Sequence, residues 1–145
     1  TTIKNYAIDY NNNKKIELKK NEDSFASAAN YLNSIGWKNN DHCFYKITLN
    51  NNIPLELLNT SAKKIKNKKE FKYYKKYISN DIGKHIAENT IVAIITPDRD
   101  IIPENQTLNP AYLVFKNYEI ILKWNRSLRF ALAVCTLKNK FENDL

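Results

Sequence analysis

Oxygen-bearing side chains recur at every second position near the start of the chain, in Asp9, Asn11 and Asn13. Oxygen ligands at positions 1, 3 and 5, followed by a backbone carbonyl at position 7, form the pattern of an EF-hand calcium loop, and Lys15 supplies that carbonyl. Two of the three side chains are neutral amides, however, and Lys14 stands where glycine normally makes the sharp turn. The pattern predicts either weak calcium binding or an Asn-rich turn that needs no metal.

Two pairs of acidic residues have the residue types for general acid–base chemistry. Asp98 and Asp100 flank Arg99 in a polar loop, and Glu22 and Asp23 lie together at the start of a predicted helix. A catalytic acid needs a carboxyl group whose pKa is tuned by its surroundings. A solvated turn explains the first pair and a helix N-terminus explains the second, so we predict no catalytic role for either.

The cysteines and histidines are not spaced like a metal or redox site. Cys43 and Cys135 are the only cysteines; they form no C-x-x-C motif, and two cysteines do not make a disulfide framework. Cys43 opens a strand-like run and Cys135 lies on the apolar face of a helix, so both are predicted to be small buried apolar residues. His42 and His85 lack zinc-ligand spacing, and no zinc site is predicted.

The 145-residue chain has a formal net charge of +8 and a hydrophobic content of 43%, which fits one globular domain. Its basic run Lys63–Lys76 is interleaved with aromatic residues, and such a run can contact phosphates and stack bases. The same run has the pattern of a helix with one buried aromatic stripe and lysines outside. We therefore keep nucleic-acid binding only as an alternative.

Short helices and strands must position these residues. The first predicted helix is capped by Asn21 or Asp23 and ends at Gly36. Its predicted inner face consists of apolar residues at helical spacing: Phe25, Ala28, Ala29 and Leu32. Three strands are predicted from β-forming runs: Cys43–Leu49, Thr90–Thr96 and Ala111–Phe115. The second and third strands are expected to pair.

Helices are predicted for most of the rest. Leu55–Tyr77 has a helical pattern that Asn67 divides into two pieces. Near the end, Asn117 is predicted to cap one helix and Ser127 a second, after an interruption that begins at Trp124. No internal repeat or linker separates these elements, so we predict one unit of the α+β class.

Three stretches, in order, resemble the family of B-type lytic murein transglycosylases. The first is Tyr6-Ala7-Ile8-Asp9, followed by the polar loop to Asp23. The second is Ser27–Leu32 (SAANYL), which ends with Gly36-Trp37. The third is Pro110–Tyr118 (PAYLVFKNY), which is followed by Trp124–Ser127 (WNRS) and Phe130–Val134 (FALAV). Together they bracket almost the whole chain, whereas residues 50–89 match poorly.

The resemblance implies the C-terminal part of a lysozyme-like fold, made of helices with a small antiparallel sheet. Residues 1–23 are then an EF-hand-like polar loop and 24–145 the core that carries part of a glycan cleft. Enzymes of this family cleave peptidoglycan glycan strands with one glutamic acid and leave 1,6-anhydro-muramic ends. Their acid lies upstream of the polar loop and has no match here, so we expect activity of the parent protein but not of this chain alone.

The resemblance also assigns substrate-binding residues. Tyr31 matches a tyrosine of the cleft, and Asn30 beside it could hydrogen-bond sugar hydroxyls. Trp124 and Phe130 match two further tyrosines; both keep an aromatic ring and lose the phenolic hydroxyl, and Asn125 adjoins Trp124. Each aromatic residue could instead belong to the core, and that alternative stays open.

In the family the polar loop closes with a late carboxylate, which Asp23 matches. It completes a candidate calcium set with Asp9, Asn11, Asn13 and Lys15, although no cofactor is required. The expected partners are peptidoglycan glycan strands, with no nucleic acid, and a membrane only through an anchor outside this chain. The expected location is the periplasm or cell envelope of a bacterium, with outer-membrane association.

Two alternatives remain open from the sequence. The loss of hydroxyls at Trp124 and Phe130 is compatible with a catalytically inactive glycan-binding or scaffold relative. The basic run leaves the nucleic-acid-binding module as the less favoured choice. Arg126 and Arg129 could meet carboxylates of peptide stems or be solvated.

Overall fold

The computed structural model describes residues 2–99 and 108–144, with side chains for all of these except residues 2, 3, 83 and 141–144. The chain divides into two compact units, Thr1–Asn40 and Asp41–Leu145, each of which is described by itself. The predicted boundary after residue 23 falls inside the first unit, and the prediction of a single unit remains a prediction.

The first unit contains two helices joined by the polar loop. They are α1 (Thr2–Tyr6) and α2 (Asn21–Ser34). The predicted glycine stop is confirmed, because Gly36 has a φ of 104° and lies just beyond α2. Its backbone N–H and that of Trp37 donate to helix carbonyls, which satisfies the open end of the helix.

Two predictions about α2 are wrong. Lys20 occupies the N-cap instead of Asn21 or Asp23, and no side chain caps the helix. Phe25, predicted on the inner face, has a side chain that is 71% exposed. Residues four apart share a helix face, and Ala29 is exposed as well, so this stripe of α2 points to solvent.

The second unit is built on a five-stranded sheet. Its strands are β1 (Phe44–Ile47), β2 (Leu58–Asn59), β3 (Lys69–Glu70), β4 (Ile91–Ile95) and β5 (Ala111–Val114). The order is β1-β5-β4-β2, and β3 also pairs with β4. The three predicted strands and the pairing of the last two are confirmed. The sheet is antiparallel as expected except for β2, which runs parallel to β4.

β4 is buried on both faces, which explains its continuous apolar sequence. Val92 and Ile94 belong to the main hydrophobic core, together with Leu113 of β5. Ala93 and Ile95 alternate with them, point to the opposite face and are also buried. A strand with two buried faces loses the polar alternation of a surface strand.

The predicted helical region Leu55–Tyr77 is wrong for most of its length. Its helices are only the 3-10 turn Leu55–Leu57 and α3 (Phe71–Lys75), with β2 and β3 between them. A second 3-10 turn, Gly83–His85, follows later. The buried stripe was predicted correctly for Phe71 and Tyr74. Sheet pairing with β4 overrides the helical spacing of the remaining apolar residues.

In this region the buried side-chain amide of Asn59 forms hydrogen bonds that hold the chain in a non-helical loop. The Nδ2 of Asn59 donates to the carbonyls of Lys66 and Ile94 at 3.0 and 2.9 Å, and its Oδ1 accepts the N–H of Lys66 at 2.7 Å. The loop 60–66 is thereby closed onto β2. Asn67 follows with a φ of 55°, so the predicted break falls at a left-handed residue, and its carbonyl accepts the hydroxyl of Tyr74.

Two helices, α4 (Lys116–Trp124) and α5 (Leu128–Asp144), follow the sheet. The predicted cap at Ser127 is confirmed, because its Oγ accepts the N–H of Phe130 at 3.2 Å. The predicted cap at Asn117 is wrong. Asn117 is buried within the first turn of α4, where its amide donates to the carbonyl of Asp41.

The two cysteines are buried as predicted, but they are not independent apolar residues. Cys43 and Cys135 form a disulfide with their Cα atoms 5.9 Å apart, although 92 positions separate them in sequence. Spacing along the chain carries no information on a contact between the start of β1 and the middle of α5. The sequence therefore could not indicate this pair.

Candidate functional site

Two of the predicted glycan-binding residues lie together at the break between α4 and α5. Trp124 ends α4 with 48% of its surface exposed, and Phe130 in α5 is half-buried. Their ring centroids are 6.4 Å apart at an interplanar angle of 87°, an edge-to-face contact. Asn125, the third predicted residue of this group, is exposed beside Trp124. The arrangement offers an open aromatic surface with an adjacent amide.

The backbone and one buried tyrosine hold this break in place. The N–H of Asn125 donates to Ile121 at 2.9 Å, and its carbonyl accepts the N–H of Ser127 at 2.8 Å. The buried hydroxyl of Tyr118 donates to the carbonyl of Leu128 at 2.7 Å, which joins α4 to the first turn of α5. Burial raises the pKa of Tyr118 far above its usual value, so the hydroxyl keeps its proton.

The other predicted pair lies in the first unit. Tyr31 is half-buried on α2, with its ring edge-to-face against Tyr6 at 5.2 Å. Asn30 donates its amide to the carbonyl of Tyr6 at 3.0 Å, which leaves its side-chain oxygen for other donors. Tyr31 thus combines packing within the unit with an accessible ring surface. The structure does not test the binding roles of these residues, which remain predictions.

The polar loop folds around the carboxylate of Asp9. Its two oxygens accept the N–H groups of Asn13 and Lys14 at 3.1 and 2.7 Å. The oxygens of Asn11 and Asn13 each accept a backbone N–H as well. Lys14 has a φ of 66°, so it adopts the left-handed conformation that glycine would take more easily.

Asp23 closes the loop at its other end. Its side chain is only 1% exposed, and its oxygens accept the N–H groups of Tyr10 and Glu17 at 3.0 and 2.8 Å. Each oxygen retains a second lone pair. Calcium binding by Asp23 together with Asp9, Asn11, Asn13 and the carbonyl of Lys15 remains a prediction. The charge on these ligands is low, and the loop is already closed by backbone hydrogen bonds. Within the described ranges, no three His, Cys, Asp or Glu side chains converge as a metal site.

The described acidic pairs are poorly suited to act as the acid. Backbone hydrogen bonds from Glu17 and Tyr10 hold the pKa of Asp23 below its usual value, which is the wrong direction for a proton donor near neutral pH. Asp98 accepts the guanidinium of Arg129, with the closest N···O distance at 2.6 Å. Asp100 lies outside the described residues.

We expect replacement of Asp23 by Asn to loosen the polar loop, because only one oxygen remains for two N–H donors. The ionised carboxylate stabilises the fold above its unfolded pKa of about 3.9, and this contribution is lost as the pH falls through the lower folded value. Thermal unfolding from neutral to acidic pH should therefore show Asp23→Asn less stable than wild type at pH 7, with the difference shrinking on acidification. A difference that is the same at every pH, or a matching loss in the exposed neighbour variant Glu22→Gln, contradicts this role.

Several residues that position the site were not identified from the sequence. The Tyr118 hydroxyl, the Asn117 amide and the Asp98–Arg129 ion pair all fix α4 or α5 in the second unit. The first two fall within the Pro110–Tyr118 stretch that carries the resemblance, which is the signal that could have identified them. The ion pair joins positions 31 apart, and no local pattern announces it.

The sequence matches a family model described as the transglycosylase SLT domain over residues 1–139. A comparison with curated proteins finds no match. None of the helices in the described ranges is long and apolar enough to cross a lipid bilayer.

Solved structures with the same fold include SltB3 and two lytic transglycosylases. SltB3 from Pseudomonas aeruginosa, in complex with NAG-NAM-pentapeptide, superposes with a TM-score of 0.77 at 23% identity and covers 97% of this chain and 36% of its own. The soluble lytic transglycosylase SltB1 from the same organism gives 0.72 at 14% identity, with coverages of 99% and 44%. Slt35 from Escherichia coli, in complex with calcium, gives 0.65 at 20% identity, with coverages of 95% and 40%. The α+β, lysozyme-like fold is thereby confirmed, and this chain spans well under half the length of these structures.

Proposed function

Because this chain belongs to the transglycosylase SLT domain family, we propose that it is the C-terminal part of a B-type lytic murein transglycosylase. Such an enzyme cleaves the glycan strands of peptidoglycan and leaves 1,6-anhydro-muramic ends. The observation that carries the proposal is the family match over residues 1–139, which includes the exposed Trp124 and its half-buried neighbour Phe130. The peptidoglycan fragment bound to SltB3 supports a glycan strand as the partner.

In this proposal the chain binds and orients the glycan. The exposed ring of Trp124 stacks on the apolar C–H face of a sugar, with Phe130 supporting it from the side. Asn125 and, in the first unit, Asn30 and Tyr31 supply hydrogen-bonding groups to sugar hydroxyls. Trp124 keeps an N–H donor, whereas Phe130 contributes ring surface alone.

The proton donor is proposed to be a glutamic acid in a segment of the parent protein that precedes this chain. One carboxyl group suffices in this scheme. It protonates the glycosidic oxygen and, as a carboxylate, takes the proton of the sugar's own 6-hydroxyl, which attacks C1 and closes the anhydro ring without water. The low pKa of Asp23 and the ion pair of Asp98 support a donor elsewhere.

No cofactor is required for this chemistry. Asp9, Asn11, Asn13, Lys15 and Asp23 would hold a calcium ion, whose part is limited to cross-linking the two ends of the polar loop. We propose that binding is weak, because the ligand charge is low and backbone hydrogen bonds already close the loop.

We further propose that the protein works in the periplasm or cell envelope of a bacterium, in association with the outer membrane. Disulfides form and persist in oxidising compartments, and the Cys43–Cys135 bond supports that location. Any membrane attachment is proposed to come from an anchor outside this chain.

Product analysis tests the proposal directly. Purified peptidoglycan is incubated with this chain alone and with the longer protein that its gene encodes, and the soluble muropeptides are analysed by mass spectrometry. We expect anhydro-muropeptides, one water lighter than hydrolysis products, from the longer protein only. Hydrolysis products would overturn the transglycosylase assignment, and anhydro products from this chain alone would place the acid within it. Glycan binding without products from either protein would favour the inactive relative.

A further inference from the structure

A basic pocket lies beside the aromatic break, between the loop 60–66 and α4. Its volume is about 550 Å³, the size of a site for a small molecule or a short peptide segment. The residues that line it include six cations and a single carboxylate, which are Lys63, Lys64, Lys68, Lys116, Lys123, Arg126 and Glu119. An anionic ligand with more than one negative group matches this charge.

Most of the cations that line the pocket are available to pair with a ligand. Lys68 pairs with Glu119 at 3.0 Å, and among the residues that the structure describes the other five cations of the pocket form no ion pair. All five are exposed, so a ligand can reach them without breaking an internal contact.

The floor of the pocket is apolar. Ile65, Ile120 and Leu122 line it with side chains that are buried in the protein. A second pocket of about 240 Å³ shares Ile65, Lys68, Lys116 and Glu119 with the first and adds apolar lining from β4 and β5. A ligand that carries carboxylates next to small apolar groups would satisfy both surfaces.

Both walls of the pocket are held in place. The Asn59 amide fixes the loop that carries Lys63 and Lys64, and it is itself only 6% exposed. The opposite wall is α4, which the buried hydroxyl of Tyr118 joins to α5. Cations on fixed backbone lose less freedom on binding than cations on a mobile loop.

The pocket adjoins the proposed glycan site. Lys123 and Arg126, which line it, flank Trp124 and Asn125 directly in sequence. Arg126 lies between the end of α4 and the start of α5, so the pocket reaches the break that carries Trp124. No aromatic residue lines the first pocket and Phe115 alone lines the second, whereas Tyr73, with Lys69 at 4.7 Å over its ring, lies outside both. Single-stranded nucleic acid needs stacking surfaces along a basic groove, so this pocket favours a different ligand.

We propose that this pocket binds the carboxylates of the peptide stems carried by the glycan. The inference rests on the proposed function and deepens it: the chain selects stem-bearing strands over peptide-free strands. Lysine ammonium groups pair with the stem carboxylates, and the apolar floor receives the small side chains of the peptide.

Binding measurements on the whole chain test this inference. The pocket variant is Lys63→Gln/Lys123→Gln, with one change on each wall. The charge-matched control is Lys46→Gln/Lys140→Gln, at exposed positions of β1 and α5 that do not line the pocket. Each protein is titrated with peptide-free glycan, with stem-bearing glycan and with stem-bearing glycan whose carboxylates are amidated.

We expect wild type and control to bind stem-bearing glycan at least about fivefold more tightly than peptide-free glycan. Amidation of the stems or the pocket variant should remove that preference while leaving the affinity for peptide-free glycan unchanged. A preference that survives both changes, or that falls equally in the control, overturns the stem site.

Two further ligands distinguish failure of the stem site from failure of the proposed glycan binding. The isolated stem peptide and a single-stranded oligonucleotide are titrated in the same buffer. If wild type binds the isolated stem through the pocket but not peptide-free glycan, the glycan proposal fails and the stem site stands. If it binds peptide-free glycan with no preference for stems, only the stem site fails. Tighter, pocket-dependent binding of the oligonucleotide overturns the stem assignment in favour of nucleic acid.

Discussion

Removal of the Cys43–Cys135 disulfide should lower the free energy of unfolding by about 4 kcal/mol. The bond joins the residue before β1 to the middle of α5 across a sequence separation of 92. Closing a loop of this length restricts the unfolded chain strongly, and its loss returns that freedom. Both cysteines are fully buried, so the cross-link also fixes the sheet to α5 inside the second unit.

The measurement is urea and thermal unfolding of Cys43→Ala/Cys135→Ala beside wild type. A loss of this size corresponds to a drop in Tm of roughly 10–20 °C. Reduction of wild type should reproduce most of the drop, and the same reductant should leave the double variant unchanged. Equal stability of oxidised and reduced wild type, or two free thiols in protein made in an oxidising compartment, would contradict the prediction.

Replacement of Trp124 by Ala should weaken glycan binding about tenfold or more. Its ring is the most exposed aromatic surface at the α4–α5 break, and it lies edge-to-face with Phe130. An aromatic contact contributes about 0.5–1.5 kcal/mol beyond the apolar area that it buries, and 1.4 kcal/mol is a factor of ten in affinity. Trp124 is the last residue of α4 and 48% of its surface is exposed. The substitution should therefore leave the stability of the fold nearly unchanged.

Calorimetric titration with peptide-free glycan fragments measures this loss. Trp124→Phe keeps a ring and should retain most of the affinity, which separates stacking from hydrogen bonding by the indole N–H. Phe25→Ala removes an aromatic side chain that is 71% exposed on α2 and serves as the control. Unchanged affinity in Trp124→Ala, or an equal loss in Phe25→Ala, would remove Trp124 from the site.

Local signals predicted the elements that depend on neighbours in sequence. The glycine at position 36 ended α2 because only a residue that accepts a positive φ suits that position. The Ser127 cap and the apolar runs of β4 and β5 were likewise readable, since a cap and a buried strand each leave a short pattern. These elements determine where Trp124 and Phe130 lie.

Long-range contacts decided the parts that the sequence could not predict. The apolar spacing of Leu55–Tyr77 favours a helix, but pairing of β2 with β4 and the buried amide of Asn59 hold this segment in other conformations. The basic pocket exists because this segment is a strand and a loop; a continuous helix would not place the loop 60–66 opposite α4. The disulfide is a second case, in which the partners are adjacent only after folding.

The polar loop combines a feature that was predictable from neighbouring residues with one that depends on a contact formed only on folding. The sequence predicted the unfavourable left-handed conformation of Lys14, and the family resemblance matched Asp23 to a carboxylate near the end of the loop. It did not predict that the Asp23 carboxylate is buried and holds two backbone N–H groups, since its position beside Glu22 suggested a helix cap. Whether calcium adds to this closure remains a proposal.

The most direct test of the glycan-binding assignment is a fluorescence titration of the Trp37→Phe protein, in which Trp124 is the single tryptophan. Peptide-free glycan fragments are added to saturation, and the emission maximum and intensity are followed. We predict a saturable blue shift, because a sugar stacked on the half-exposed indole removes water from it. Emission that stays constant while calorimetry records binding would place the glycan elsewhere, and absence of binding by both methods would contradict the glycan-binding role itself.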